Sequence, residues 1–317
     1  MGFYSEFRYP TKWYSKLIAA VLALTFFSLL AAAAIAGYVV YRIVTPPRNQ
    51  TKINLVNFPG HPGMLTYNVP GKGQREGWFF PGLKEAPTVI LCPGYDSSRG
   101  ELLTLATSLQ DHQYNVLLFD FSAHGPNGGR STLGFEEVGE LRAAVDAVAH
   151  RGDVDATRFG LWGPNMGGYV ALEEAASDPR VRALAVESVY GRPQEMVGLL
   201  VKRSGLGSVP LIARIASWGF RWFIYDHRND PSVTAALGKL NGVAQLYFAT
   251  EDDSALGQTT RAIFAQSPPP HELVELPHGN YAGMLDDEKR VYENRIVSFF
   301  LNNLPAIVEP SAPAPRH

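Results

Sequence analysis

The residues with the most chemical content are Phe159-Gly160-Leu161-Trp162-Gly163-Pro164-Asn165-Met166-Gly167-Gly168-Tyr169. An apolar run enters a G-x-X-x-G turn and leaves it as a helix. Such a turn lets strand and helix approach closely through its glycines. Its central residue projects from a strained backbone, and the next backbone N–H points into the space that residue faces. The chemistry that uses this device is nucleophilic catalysis. Here the central residue is Asn165. A carboxamide has no proton that a base removes near neutral pH, and its nitrogen lone pair is delocalised. It cannot play the activated hydroxyl of a triad. After glycine, asparagine tolerates positive φ best, so Asn165 keeps the turn and removes the nucleophile.

The turn must be positioned by the elements around it. Thr88–Leu91, Asn115–Phe119, Arg158–Leu161, Ala183–Val186, Ala244–Phe248 and Glu272–Leu276 are short apolar or β-branched runs and are expected as strands. Between them Glu101–Leu109, Phe135–Ala149, Met166–Ala176, Asp230–Leu240 and Thr259–Ala265 have helical period or propensity. Continuous apolar strands alternating with helices predict an α/β fold, a mostly parallel sheet covered on both faces. Upstream, Lys52–Phe58, Met64–Tyr67 and Glu76–Phe80 predict antiparallel strands joined by Gly/Pro turns. Residues 190–225 depart from the alternation with an apolar helical insertion carrying interleaved Lys202, Arg203, Arg214 and Arg221. It reads as a helical cap, as a second membrane-contacting surface, or as further core packing.

With these pieces in order, residues 50–303 resemble the α/β-hydrolase superfamily, in particular its lysophospholipase-like and serine-aminopeptidase-like members. Leu91-Cys92-Pro93-Gly94-Tyr95 resembles the HG turn after the third strand, with Pro93 in place of His. Phe119-Asp120-Phe121-Ser122-Ala123-His124-Gly125 resembles the D-x-R-G-x-G loop, with Ser122 in place of Arg. Ser131-Thr132-Leu133-Gly134-Phe135-Glu136 resembles the T-x-G-x-E helix entry. The resemblance implies a triad in chain order: Asn165 at the nucleophile position, Asp253 as the acid in Thr250–Leu256, and His278 as the base in Leu276-Pro277-His278-Gly279-Asn280. It implies backbone N–H groups of Tyr95 and Met166 as an oxyanion hole. The activity implied is hydrolysis of an ester, thioester or amide. With Asn165 at the elbow, the alternative is an inactive protein of that fold binding a lipid-like ligand or a protein partner.

The N-terminus carries a different signal. Leu17–Val40 is 24 residues without a charge, enough to cross a hydrocarbon core of roughly 30 Å. Trp13, Tyr14, Tyr38 and Tyr41 sit near its ends, and Lys12, Lys16 and Arg42 bracket it. The expected organisation is a basic flank over 1–16, a transmembrane signal anchor over 17–40, a Pro-containing linker over 41–50, the large domain over 51–303 with its cap at 190–225, and a disordered tail over 304–317. A cleaved signal peptide is the rival reading of the same segment. The expected partners are the bilayer, through residues 17–40, and a small acyl, ester or lipid-like ligand. The large domain is expected outside the cytoplasm.

Composition agrees with that division. The 317-residue chain has a formal charge of −2. Residues 1–60 hold six cations and one carboxylate, and the rest holds 22 cations and 29 carboxylates. An acidic body gives no reason to expect nucleic acid. One cysteine, Cys92, excludes an internal disulfide and a cysteine-based metal site. The histidines show no metal-ligand spacing, so neither metal nor cofactor is expected.

Overall fold

The computed structural model describes residues 12–48, 55, 58, 60–205, 209–227, 229–251, 254–277, 279 and 281–306, without the side chains of Ser254 and Ala282. Strands β1 (Gly63–Val69), β2 (Gly73–Phe80), β3 (Thr88–Leu91), β4 (Asn115–Leu118), β5 (Phe159–Pro164), β6 (Val181–Glu187), β7 (Ala244–Thr250) and β8 (His271–Leu276) form one sheet. Their order is β1-β2-β4-β3-β5-β6-β7-β8. The β1–β2 and β2–β4 pairs are antiparallel, and all others are parallel.

The described helices are α1 (Trp13–Val44), α2 (Leu103–Asp111), α3 (Glu137–Ala149), α4 (Asn165–Ala175), α5 (Pro193–Arg203), α6 (Pro210–Phe223), α7 (Ser254–Gln266) and α8 (Asp286–Asn303). Two compact units result. One comprises Met1–Ile43 and Met196–Arg228, the other Val44–Glu195 and Asn229–His317.

In the larger unit β3, β4 and β5 are buried along their whole length, as an internal parallel sheet requires. Val89, Leu91, Trp162, Ala185 and Phe248 pack with Leu105 and Leu109 of α2 and Ile296 and Phe300 of α8. Their neighbours Ile90, Leu117, Leu161 and Leu184 point the opposite way and are also buried, so both faces are covered. In the smaller unit α1 continues past Val40 to Val44, because Tyr41-Arg42-Ile43-Val44 has nothing to break it until Pro46-Pro47. Its long apolar stretch is unburied.

Two expectations change. Asp230–Leu240 is not an α-helix but two short 3₁₀ segments, Val233–Ala235 and Leu237–Leu240. Pro231 and Gly238 interrupt the run, and Ser232 Oγ donates to the Gly191 carbonyl at 3.0 Å, holding the segment to the loop after β6. Most of Lys52–Phe58 lies outside the described residues, and Leu55 and Phe58 are not in a strand.

The join between β5 and α4 is tight. A Cβ on Gly167 would stand 2.3 Å from the Cys92 carbonyl oxygen and 2.6 Å from that of Pro93. One on Gly163 would stand 2.5 Å from the Gly167 carbonyl carbon. These atoms are backbone and cannot step aside. Gly167→Ala is therefore expected to destabilise the fold by about 1–3 kcal/mol, read by chemical denaturation; unchanged stability would contradict the close approach.

Candidate active site

Strand β5 passes into α4 with no residue between Pro164 and Asn165. The turn is made at Asn165, which has φ +38°. The first N–H groups of a helix lack intrahelical acceptors, and here the Asn165 side chain meets one of them. Its Oδ1 accepts from the Met166 N–H at 2.6 Å and from the Tyr95 N–H at 2.7 Å. The second donor comes from the loop after β3, so the carboxamide joins the C-terminal ends of two adjacent strands. The amide faces Gly94, where a Cβ would lie 3.0 Å from Nδ2 and 3.1 Å from Oδ1. Two donors fix which amide atom is oxygen, since the NH₂ group offers no acceptor to either. Asn165, Tyr95 and Met166 are thus brought together. Asp253 and His278 lie outside the described residues.

The neighbourhood of those two positions is described. β7 ends at Thr250 and β8 at Leu276, at the same edge of the sheet as the Asn165 turn. The Glu251 N–H donates to the Leu276 carbonyl at 3.3 Å. Gly279 lies against Thr250, where a Cβ would be 2.7 Å from Thr250 Cγ2.

The loops beneath the turn are held by buried charge. In the Ser131–Gly134 loop the acceptor is Glu137 rather than Glu136. Glu137 accepts from Ser131 Oγ at 2.7 Å, Thr132 N–H at 2.9 Å, Thr132 Oγ1 at 2.6 Å and Gly134 N–H at 2.9 Å. Glu136 instead pairs with Lys72 at 2.8 Å. Ser131 Oγ also lies 3.5 Å from Met166 Sδ, which ties this loop to the start of α4. Asp120 accepts the Arg99 N–H at 2.8 Å and lies 3.1 Å from Arg99 Nε. The cation of this loop is therefore supplied from residue 99, while position 122 is Ser.

His124 is buried with its ring edge-on to Tyr95, centroids 5.7 Å apart, and Nδ1 2.9 Å from the Ser122 carbonyl. Its Nε2 meets no hydrogen-bonding partner among the described residues. Burial holds His124 below the ordinary histidine range, against the opposing pull of the Ser122 carbonyl, Glu137 and Asp96. It is therefore neutral near pH 7. Burial, and then Glu174, push the Cys92 thiol well up, so the cysteine beside this turn is not a thiolate. No cluster of His, Cys, Asp or Glu able to hold a metal occurs among the described residues.

One further acid, outside any motif of the sequence, lies beside the turn. Glu187 closes β6, is buried, and pairs in register with Pro164, the residue before Asn165. It accepts from the Tyr292 hydroxyl at 2.7 Å, and Tyr292 accepts from Trp162 Nε1 at 3.3 Å. The available signal was a carboxylate ending an apolar strand, Ala183-Leu184-Ala185-Val186-Glu187.

No known family profile matches the chain. An uncharacterized protein of Mycobacterium tuberculosis is 33% identical over 171 residues, which is 51% of this chain and 60% of that protein. A thiohydrolase of Eupenicillium brefeldianum is 29% identical over 124 residues, 38% of this chain and 40% of that protein. Among solved structures, the Pyrococcus furiosus esterase Pf2001 superposes with a TM-score of 0.66 at 18% identity, covering 83% of this chain and 99% of that one. The chain has the α/β-hydrolase fold.

One pH dependence follows from the loop electrostatics. Burial pushes the Asp120 carboxyl up to about 6, opposed by the Arg99 N–H and guanidinium. With the folded value above the unfolded one, the unfolded chain releases this proton first as pH rises. The contribution of the protonated form is complete below about pH 4 and is lost as pH climbs to about 6. Asp120→Asn, which does not ionise, should gain on the parent by on the order of 2 kcal/mol across that window. Denaturation midpoints with the same pH dependence in both proteins would contradict it.

Proposed function

We propose that this chain is a membrane-anchored protein of the α/β-hydrolase fold that binds an ester-, thioester- or lipid-like ligand without acyl transfer. The observation that carries this reading is the engagement of Asn165 Oδ1 by both the Tyr95 and Met166 N–H groups. In a working site these two donors would receive the oxygen of a substrate carbonyl as it becomes an oxyanion. Here a carbonyl oxygen belonging to the protein takes that place. A substrate carbonyl would have to displace a covalently tethered competitor, and would then find no hydroxyl or thiol at the turn to attack it.

The ligand class follows from the likeness to an esterase and a thiohydrolase and from the donors themselves, which suit a carbonyl oxygen. The anchor reading rests on α1, 32 residues long. At 1.5 Å per residue it extends about 48 Å, more than a hydrocarbon core needs. Its outward side chains, among them Leu22, Leu24, Phe26, Phe27 and Leu30, are apolar and exposed.

Short-chain p-nitrophenyl esters and thioesters test the catalytic half. The protein as it stands should show no turnover that His278→Ala removes. Asn165→Ser shortens the side chain, releases both N–H groups and restores a hydroxyl, and is expected to raise turnover by at least about 100-fold. Turnover by the unaltered protein that is lost in His278→Ala would overturn the reading. So would an Asn165→Ser protein that folds, binds a non-hydrolysable ester analogue no better than the parent and remains inert.

A further inference from the structure

The unit that joins α1 to residues 196–228 carries a second apolar surface. On α6, Ile212, Ala216 and Phe220 recur every four residues and are buried. Leu211, Trp218 and Trp222 occupy another face, within about 40° of one another at 100° per residue. They are exposed, Trp218 to 62% and Trp222 to 59%. Trp218 meets Trp222 edge to face at 5.7 Å, and Trp222 stacks on Tyr225 at 5.9 Å. Arg214 and Arg221 lie along one border of this stripe.

The charge of the segment is mainly positive. Met196–Arg228 contains Lys202, Arg203, Arg214, Arg221 and Arg228 against Asp226 alone, in a chain whose net charge is −2. The helix that carries the stripe also approaches the anchor. Gly219 falls on the side of α6 next to Trp222, and a Cβ built there would be 3.4 Å from Val40 Cγ2. The helix therefore crosses α1 near its C-terminal end, where Tyr38 and Tyr41 are exposed and Arg42 follows. Tyrosine and arginine mark the level at which a spanning helix leaves the hydrocarbon.

We propose that α6 lies in the membrane–water interface beside the anchor. Leu211, Trp218 and Trp222 seat at the boundary of headgroups and acyl chains, and Arg214 and Arg221 meet the phosphates of anionic lipids. The inference rests on the anchor reading of α1. A helix with apolar aromatics on one stripe, cations at its border and no acid is built for that plane, and anionic lipid supplies the complementary charge. A soluble protein partner would leave the excess of cations over carboxylates in Met196–Arg228, five to one, without a reason.

The test uses the full chain in vesicles of phosphatidylcholine and phosphatidylglycerol. Cys92 is buried, so a single introduced cysteine takes a nitroxide label. Labels at Trp218→Cys, Trp222→Cys, Leu24→Cys and Val291→Cys are read by their relative accessibility to oxygen and to a water-soluble nickel chelate. Leu24 reports the span, and Val291, exposed on α8, reports water. The expected result is oxygen-favoured exposure at 218 and 222, shallower than at 24, with 291 aqueous. Aqueous labels at 218 and 222 with a buried label at 24 overturn the proposal and leave the anchor standing. An aqueous label at 24 overturns the anchor reading and this inference with it. Spin–spin broadening at 222 without oxygen-favoured exposure assigns the stripe to a second copy of the chain and overturns the proposal. Arg214→Glu with Arg221→Glu should move the label at 222 toward water; an unchanged depth overturns the role given to the arginines.

Discussion

Strand β5 becomes helix α4 without a loop, and the site is a consequence of how little room that leaves. Gly163 and Gly167 let the strand end, the helix start and the backbone at Cys92 and Pro93 stand closer than any side chain would permit. Compression on that scale forces the residue at the corner into positive φ. It also delivers the Met166 N–H and the Tyr95 N–H to one point in space. Two unsatisfied donors in a partly buried corner carry a desolvation cost of roughly 1–3 kcal/mol each. Something has to accept them, and in this chain the acceptor is the residue at the corner itself.

Asparagine solves both halves of that problem together. Its backbone tolerates the left-handed conformation better than other residues with a Cβ, and its carbonyl oxygen is placed to take both N–H groups. The same two properties oppose nucleophilic chemistry, since the atom filling the donors is an amide oxygen with no proton to surrender. The turn is stabilised by an interaction that a serine, with a shorter side chain, would leave open to a substrate. Stability of the corner and reactivity at the corner compete for one pair of donors.

The larger frame was legible for a simple reason. Internal parallel strands must be apolar on both sides, so Val89–Leu91, Val116–Leu118 and Leu246–Phe248 stand out as unbroken apolar runs. The apolar spacing of Asp230–Leu240 is helical, but Pro231 and Gly238 shorten it to single 3₁₀ turns. The T-x-G-x-E likeness ends at Glu136 and does not say which acid accepts in the loop before α3. Geometry gives that role to Glu137, whose carboxylate reaches the Thr132 and Gly134 N–H groups.

By itself the sequence determined the alternation of strands and helices, the apolar length of the N-terminal helix, and the presence of a carboxamide at the strand-to-helix turn. These are local properties, written in periodicity and in residue chemistry. Tertiary structure decided where the Asn165 oxygen points, because its second donor comes from residue 95, seventy positions away, and only the pairing of β3 with β5 brings the two together. It also decided that the aromatic stripe of α6 stays exposed while Ile212, Ala216 and Phe220 are buried. Amphipathic spacing offers several faces for burial, and the packing partner selects the face that is used.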